Sequence, residues 1–338
     1  MILFDTTKTG AAGHRSGLTR VSSRLLHELG GAARPVVWPD LREAVRDGDC
    51  FVTAELFSEE ERPGFTAFLE RQGCRKAAIF HDAIPLKHPR ITWPQSVARH
   101  PGYMTLLSKC DHVWAVSEQS RRELEGFWRW QGRAAVPSVR VLPLGADFNG
   151  APRVAAREVP RGIPRLLCVG ILEPRKNQLF LAEVCDALWR EGLEFELHVV
   201  GRMNPHFGDP VAARLKQLAR QRPGAVILHD SADDQTLAGL YAAARATVFP
   251  TIAEGCGLPL LESLWMGVPC VCSDLPVLRE NAEGGGCVMA RLNDAASWAE
   301  ELRRVLTNDS VAERLTREAL GRPLPTWADA AKVIRRLV

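Results

Sequence analysis

Short apolar runs recur along the chain, separated by longer amphipathic or polar stretches. In the first half these runs are MILFD, PVVW, CFVT, AAIF, HVWAVS and VRVLP. They are short and rich in β-branched or aromatic residues, which predicts strands. Helical patterns lie between several of them. SGLTRVSSRLLHELG, for example, puts Leu18, Val21, Leu25 and Leu29 on one face and ends on Gly30. Strands that alternate with helices predict a parallel sheet covered on both faces.

Near residue 145 the pattern breaks. DFNGAPRVAAREVPRGIP is polar, rich in Pro, Gly and Arg, and has no period, which reads as a linker. The alternation then restarts with LLCVG, FELHVVG, AVIL, ATVFP, PCVCS and GCVMA. The fold class expected is α/β, two consecutive doubly wound domains with the ligand at the carboxyl ends of the strands, between the domains. No fixed-period repeat or low-complexity tract appears.

Composition narrows the function classes. With 338 residues, a net charge of +3, 46% hydrophobic and 25% charged residues, the chain suits about two ordinary domains. A nearly balanced charge offers no global electrostatic argument for a nucleic-acid partner. The nine cysteines form no Cys-x-x-Cys, which favours reduced, mostly buried thiols over a zinc site and points to a cytosolic setting. MILFDTTKTG lacks the basic start and long apolar core of a signal peptide, and no apolar run is long enough to span a membrane. The expectation is a soluble, cytoplasmic protein.

Four segments carry candidate chemistry. In FPTIAEGCGLPLLE, residues 249–262, a strand ends at Pro250, a turn holds Glu254, and a helix with Pro259 early and Gly267 behind it holds Glu262. Backbone N–H groups at that helix start suit an oxygen-rich or anionic ligand. Glu262 is placed to accept from vicinal hydroxyls such as those of a ribose, and Glu254 from those of a second sugar. Spacing alone is equally compatible with two solvated glutamates. In LLCVGILEPRKNQLFL, Arg175 and Lys176 stand where a new helix begins. Cations are unfavourable there for the helix itself, and the pair suits a diphosphate, although surface Arg-Lys pairs are common. In IFHDAIPL, His81 and Asp82 follow a strand directly; His81 suits a sugar hydroxyl or acceptor, or simply local backbone groups. TGAAGHRSGLTR brings Gly10, Gly13 and Gly17 after the first strand, without the spacing of a dinucleotide fingerprint.

Taken together and in this order, these segments resemble the retaining nucleotide-sugar glycosyltransferases of the GT-B fold, the large family 4. The resemblance covers nearly the whole chain and is strongest from 166 to 280, with AVSEQSRREL, VLPLGAD and TWADAAKVI as further landmarks. It implies two Rossmann-like domains facing across a cleft: 1–148 on the acceptor side, a linker at 149–163, 164–322 on the donor side, and a terminal helix, 323–338, crossing back. It implies that Arg175 and Lys176 neutralise the donor diphosphate and that Glu262 holds the ribose. Glu254 would grip the transferred sugar with Gly255, Cys256, Gly257 and Leu258. His81 would lie beside that sugar, the Gly13 loop would contact donor phosphate or acceptor, and Asp230 and Ser231 in HDSAD would border the base. Cys256 departs from the aromatic residue usual between the two glycines.

The resemblance further implies a front-face, retaining transfer with no metal and no cofactor. The donor is a nucleotide sugar, GDP-mannose favoured and UDP or dTDP sugars admissible. The acceptor is a glycan or lipid-linked glycan of bacterial surface polysaccharide synthesis, which would place the protein at the inner face of the inner membrane. A non-catalytic nucleotide-sugar-binding partner subunit and an epimerase of the same fold are the alternatives. FWRWQGR, with Phe127, Trp128 and Trp130 among arginines, reads either as a patch for anionic lipid or as a core helix end with snorkelling arginines.

Overall fold

Six strands, β1 (Ile2–Asp5), β2 (Ala33–Val36), β3 (Cys50–Thr53), β4 (Arg75–Phe80), β5 (His112–Ala115) and β6 (Val139–Val141), build a parallel sheet in the order β2-β1-β3-β4-β5-β6. A second parallel sheet uses β7 (Arg165–Val169), β8 (Glu196–Val200), β9 (Val226–His229), β10 (Ala246–Phe249), β11 (Cys270–Ser273) and β12 (Cys287–Ala290), in the order β12-β11-β10-β7-β8-β9. The computed structural model describes residues 1–10, 17–71 and 73–337, apart from the side chains at 42, 43 and 149. The chain divides into one unit of Met1–Gly145 with Pro325–Val338, and another of Ala146–Leu324.

Strand order locates the functional edge of each sheet. Ligands of open parallel sheets bind beyond the carboxyl ends of strands, where the order reverses direction. In the first unit that reversal lies between β1 and β3, and in the second between β7 and β10.

Each unit has its own core. In the first, Phe51, Phe65, Phe68 and Trp128 join one cluster; in the second, Leu166, Leu181, Val248 and Trp298 join another. The strand expected at PVVW ends at Val36 instead, because Val37 is exposed and Trp38 turns its ring onto Phe65, with centroids 5.2 Å apart. In FWRWQGR the two tryptophans part company. Trp128 is buried and donates from Nε1 to Met104 O at 2.7 Å, whereas Trp130 is 81% exposed.

The helix Trp327–Arg335 begins on a capping box between Thr326 and Asp329 and packs against the helix Gly17–Leu29, where Arg335 donates to Leu29 O at 3.3 Å. The non-periodic stretch after residue 150 holds no helix or strand, yet it is strapped to the second unit. Arg153 donates to Ala319 O at 2.6 Å, Arg157 to Tyr241 O at 3.1 Å, and Trp265 Nε1 to Ala151 O at 3.0 Å.

Candidate active site

The chain leaves β7 through Gly170 and reaches a single 3-10 turn, Pro174–Lys176, before the helix Gln178–Arg190. Proline fixes the entry to the turn, and Asn177 takes the left-handed conformation (φ +59°) that lets the helix restart in a new direction. Arg175 and Lys176 are thereby held at the β7 edge of the reversal point. The chain leaving β10 meets them there: Arg175 O accepts from Ile252 N at 2.9 Å and from Thr251 Oγ1 at 3.1 Å.

Three donors converge on one carboxylate oxygen. Glu254 Oε1 accepts from Lys176 Nζ at 2.6 Å, Thr251 Oγ1 at 2.7 Å and Arg175 Nη1 at 3.0 Å. Arg175 Nη1 also reaches Ala253 O at 3.0 Å, and its Nη2 pairs with Glu173 Oε1 at 2.8 Å. The Lys176 ammonium lies 5.0 Å from the Phe249 ring centre, a cation–π distance. Burial pulls the Lys176 pKa below its ordinary value against the opposing pull of Glu254. At Glu254 burial works to raise the pKa, but Lys176 and Arg175 outweigh it and hold the carboxyl below the usual range. Glu254 is thus held as a carboxylate between two basic side chains.

The turn after Glu254 is shaped by what packs behind it. Gly255, Gly257 and Leu258 are buried and Cys256 is half-buried. Gly257 has φ +83°, and a Cβ there would sit 2.7 Å from Leu278 Cδ2. Asn281 Nδ2 donates to Cys256 O, pinning the turn from the helix Pro276–Ala282. Burial first, then Glu254, push the Cys256 thiol up to about 12, so it is a protonated side chain and not a nucleophile. Glu262, one turn into the helix Leu258–Trp265, is 4% exposed.

Beside this cluster, at the ends of β7, β8 and β9, lies a pocket of about 290 Å³ lined by Leu172, Gly201, Arg202, Met203, Lys216 and His229, with Asp230 at its rim. Ser231 follows on the exposed surface. Its wall is a ladder between two loops. Leu172 N donates to Arg202 O at 2.9 Å, Asn204 N to Leu172 O at 3.1 Å, and Asn204 Nδ2 to Glu173 Oε2 at 2.8 Å.

In the first unit, His81 leaves β4 and donates from Nε2 to Ala54 O at 2.7 Å, and Ser120 Oγ donates to His81 O at 2.7 Å. Burial pulls the His81 pKa down, so its ring is neutral with Nδ1 as acceptor. Gly13 lies outside the described residues, but the loop leading to it is anchored. Arg62, 1% exposed, bridges Asp5 Oδ2 at 2.6 Å and Glu55 Oε2 at 2.5 Å. Glu55 Oε1 in turn accepts from Thr9 N at 2.7 Å.

The structure thus brings Arg175, Lys176 and Glu254 into direct contact, with Gly255 to Leu258 continuing the same turn. It places Glu262 behind that turn and Asp230 at the neighbouring pocket. The family model of the glycosyl transferases of group 1 matches residues 163–308, a span that holds all of these side chains. Over that span the chain resembles this family.

Among the relatives, the Escherichia coli "O-antigen chain mannosyltransferase B" is 34% identical over 265 residues, 73% of this chain and 65% of the relative. The E. coli "Serotype-specific mannosyltransferase WbdA" is 26% identical over 218 residues, 61% of this chain. The chain spans only 26% of that WbdA sequence and 40% of another of the same name. The sucrose-phosphate synthase of Thermosynechococcus elongatus shares the fold, with a TM-score of 0.75, 18% identity and coverage of 99% of this chain and 97% of that one. The fold is therefore GT-B, with two Rossmann-like units.

Sequence reasoning missed several residues of this site. Thr251 is fully buried and holds both Arg175 and Glu254. A hydroxyl just past a β-rich run was its one available signal. Glu173 stands two residues before its partner Arg175 and also accepts from Asn204 across 31 residues, and Asn281 reaches Cys256 across 25, separations that no local spacing reveals.

Proposed function

We propose that the chain transfers a hexose, mannose favoured, from a nucleoside-diphosphate sugar to a glycan or lipid-linked glycan of a bacterial surface polysaccharide, with retention. The observation that carries this reading is the convergence of Arg175 and Lys176 on Glu254 at the reversal point of the second sheet. The mannosyltransferase names of the relatives support the sugar.

Two fixed cations meet the charge that develops on a departing diphosphate, and their placement before reaction is what lowers the barrier. A diphosphate competes for the ammonium and guanidinium that now share Glu254. The carboxylate, still held by Thr251, then accepts from hydroxyls of the transferred sugar. Glu262 takes the ribose hydroxyls, and the pocket bordered by Asp230 and Ser231 takes the base. The β-phosphate leaves toward Arg175 and Lys176 and takes the acceptor's proton on the same face, so the anomeric configuration is kept. Two cations at the leaving group perform the neutralisation for which other transferases use a metal. His81, neutral and with Nδ1 as acceptor, suits a sugar hydroxyl.

The test is release of nucleoside diphosphate and formation of a new α- or β-linked product. The purified chain is incubated with GDP-mannose, UDP-glucose and dTDP-rhamnose over a panel of glycan and lipid-linked acceptors. Transfer of mannose with retained configuration supports the reading. Binding without turnover over the whole panel favours a non-catalytic partner, and release of an epimerised sugar nucleotide favours an epimerase.

A further inference from the structure

A stacked histidine pair stands behind the pocket, and neither ring takes part in the cluster around Glu254. His198 and His229 lie with ring centres 5.4 Å apart and planes 18° from parallel. His198 Nδ1 faces His229 Nε2 at 3.2 Å, and His198 Nε2 faces Glu196 Oε2 at 3.0 Å. The same Glu196 oxygen accepts from Arg165 Nε at 2.7 Å. His229 lines the pocket; Glu196 and His198 do not.

These contacts determine which nitrogen carries each proton. Burial tends to raise the Glu196 pKa, but its bonds from His198 and Arg165 outweigh this and hold the carboxyl below its usual range. Ionised, it can only accept, so His198 Nε2 carries the proton. With a single proton, on Nε2, His198 leaves Nδ1 bare, and that nitrogen accepts from His229 Nε2–H. Burial lowers the His229 pKa and keeps that ring neutral. Its second nitrogen, Nδ1, is therefore a bare acceptor. Glu196 dictates the tautomer of a ring it does not touch.

We propose that His229 Nδ1 reads the ring N–H of the donor's nucleobase, so that the pocket accepts uracil, thymine or guanine and disfavours adenine and cytosine. This rests on the nucleotide-sugar reading above. Uracil and thymine at N3 and guanine at N1 offer a proton to that lone pair. Adenine at N1 and cytosine at N3 oppose it with a lone pair of their own, leaving two acceptors facing each other in a partly desolvated site. The pocket, about 290 Å³ and walled by Leu172 and Met203, is sized for one base. Glu196 is the positioning residue: it sets the readout through His198 without meeting the ligand.

The test is calorimetric binding of UDP, dTDP, GDP, ADP and CDP to the full chain at pH 8, together with ¹⁵N NMR of the histidine-labelled protein. Wild-type protein is expected to prefer UDP, dTDP and GDP over ADP and CDP by roughly tenfold, with His229 Nδ1 unprotonated. In Glu196→Gln the side-chain amide can donate to His198 Nε2, which frees the dyad to reverse. The preference is then expected to shrink to within about threefold, with protonated Nδ1 appearing at His229. A merely structural defect would weaken all five ligands alike and leave the ratio unchanged. A wild-type His229 protonated at Nδ1, equal binding of ADP and UDP by wild type, or an unchanged ratio in Glu196→Gln overturns the inference while the transferase reading stands. The wild-type results decide by themselves should the variant fail to fold. Binding of none of the five overturns the transferase reading and this inference together.

Discussion

Lys176 Nζ lies 2.6 Å from Glu254 Oε1, with both side chains about nine-tenths buried. Breaking a buried pair by removing one partner strands the other charge, whereas replacing both leaves none. Lys176→Ala is therefore expected to cost about 3–5 kcal/mol of stability and to lower transfer by at least about 100-fold, a loss of the size seen when one transition-state donor is removed. The double variant Lys176→Met with Glu254→Gln should recover most of the stability and none of the transfer. Urea titration and product formation measure the two separately. Near-normal turnover in Lys176→Ala would remove the basis for assigning the leaving-group site.

Thr251 serves the same cluster through its hydroxyl alone. Thr251→Val keeps the shape but removes the donor to Glu254 Oε1 and to Arg175 O. The expected cost is about 1–3 kcal/mol, with the KM for the nucleotide sugar rising more than the inhibition constant of the free nucleoside diphosphate, because the hydroxyl orients Glu254 and not the cations. Equal rises in both constants would contradict the division of roles.

Acid should expose the same carboxylate. The Glu254 pKa is held below the ordinary 4.5, so its contribution is complete above that value and is lost as pH falls through the depressed folded-state value. Urea midpoints measured from pH 7 down to pH 3 should decline in wild type and decline less in Glu254→Gln. Parallel curves would show that the cluster is not ionised in the folded protein.

Two neighbouring tryptophans give a contrast within one helix turn. Trp128→Ala opens a cavity and removes the Nε1 donor to Met104 O, at an expected cost of about 3–5 kcal/mol. Trp130, 81% exposed, should change stability by less than about 0.5 kcal/mol when replaced by Ala. Vesicle pelleting of the Trp130 variant then tests the lipid contact with no folding defect to confuse it. Unchanged pelleting on anionic vesicles would remove Trp130 from any membrane patch.

Gly201 marks the closest backbone approach near the pocket. A Cβ there would lie 1.9 Å from Gly170 O. Gly201→Ala should cost about 3 kcal/mol or more, since backbone and not a pliable side chain must yield. Thermal melting with and without nucleoside diphosphate measures the effect, and a melting temperature within a degree of wild type would show that the two strand ends are not packed as described.

The architecture was legible because every strand is a short apolar run, and the twelve runs proposed fall on or within two residues of the twelve strands described. Arg175, Lys176 and Glu254 were legible as types in suspicious places. Their mutual contact was not, since it spans 78 residues and depends on β7 and β10 being neighbours despite two intervening strands. The polar stretch after 150 reads as a linker because it is rich in Pro, Gly and Arg and has no period. Its arginines satisfy carbonyls of the second unit, a pairing that sequence pattern does not encode. The histidine dyad escaped for a related reason: His198 and His229 belong to different strands, and only register aligns them.

The ladder between Leu172, Arg202 and Asn204 has a consequence for engineering. It welds the loop carrying Arg175 and Lys176 to the loop walling the pocket, so the two behave as a single replaceable part. Exchanging the pocket-walling loop alone would graft a wall whose rungs no longer match. A chimera that changes the nucleotide taken should move residues 170–177 and 201–204 together, as one cassette.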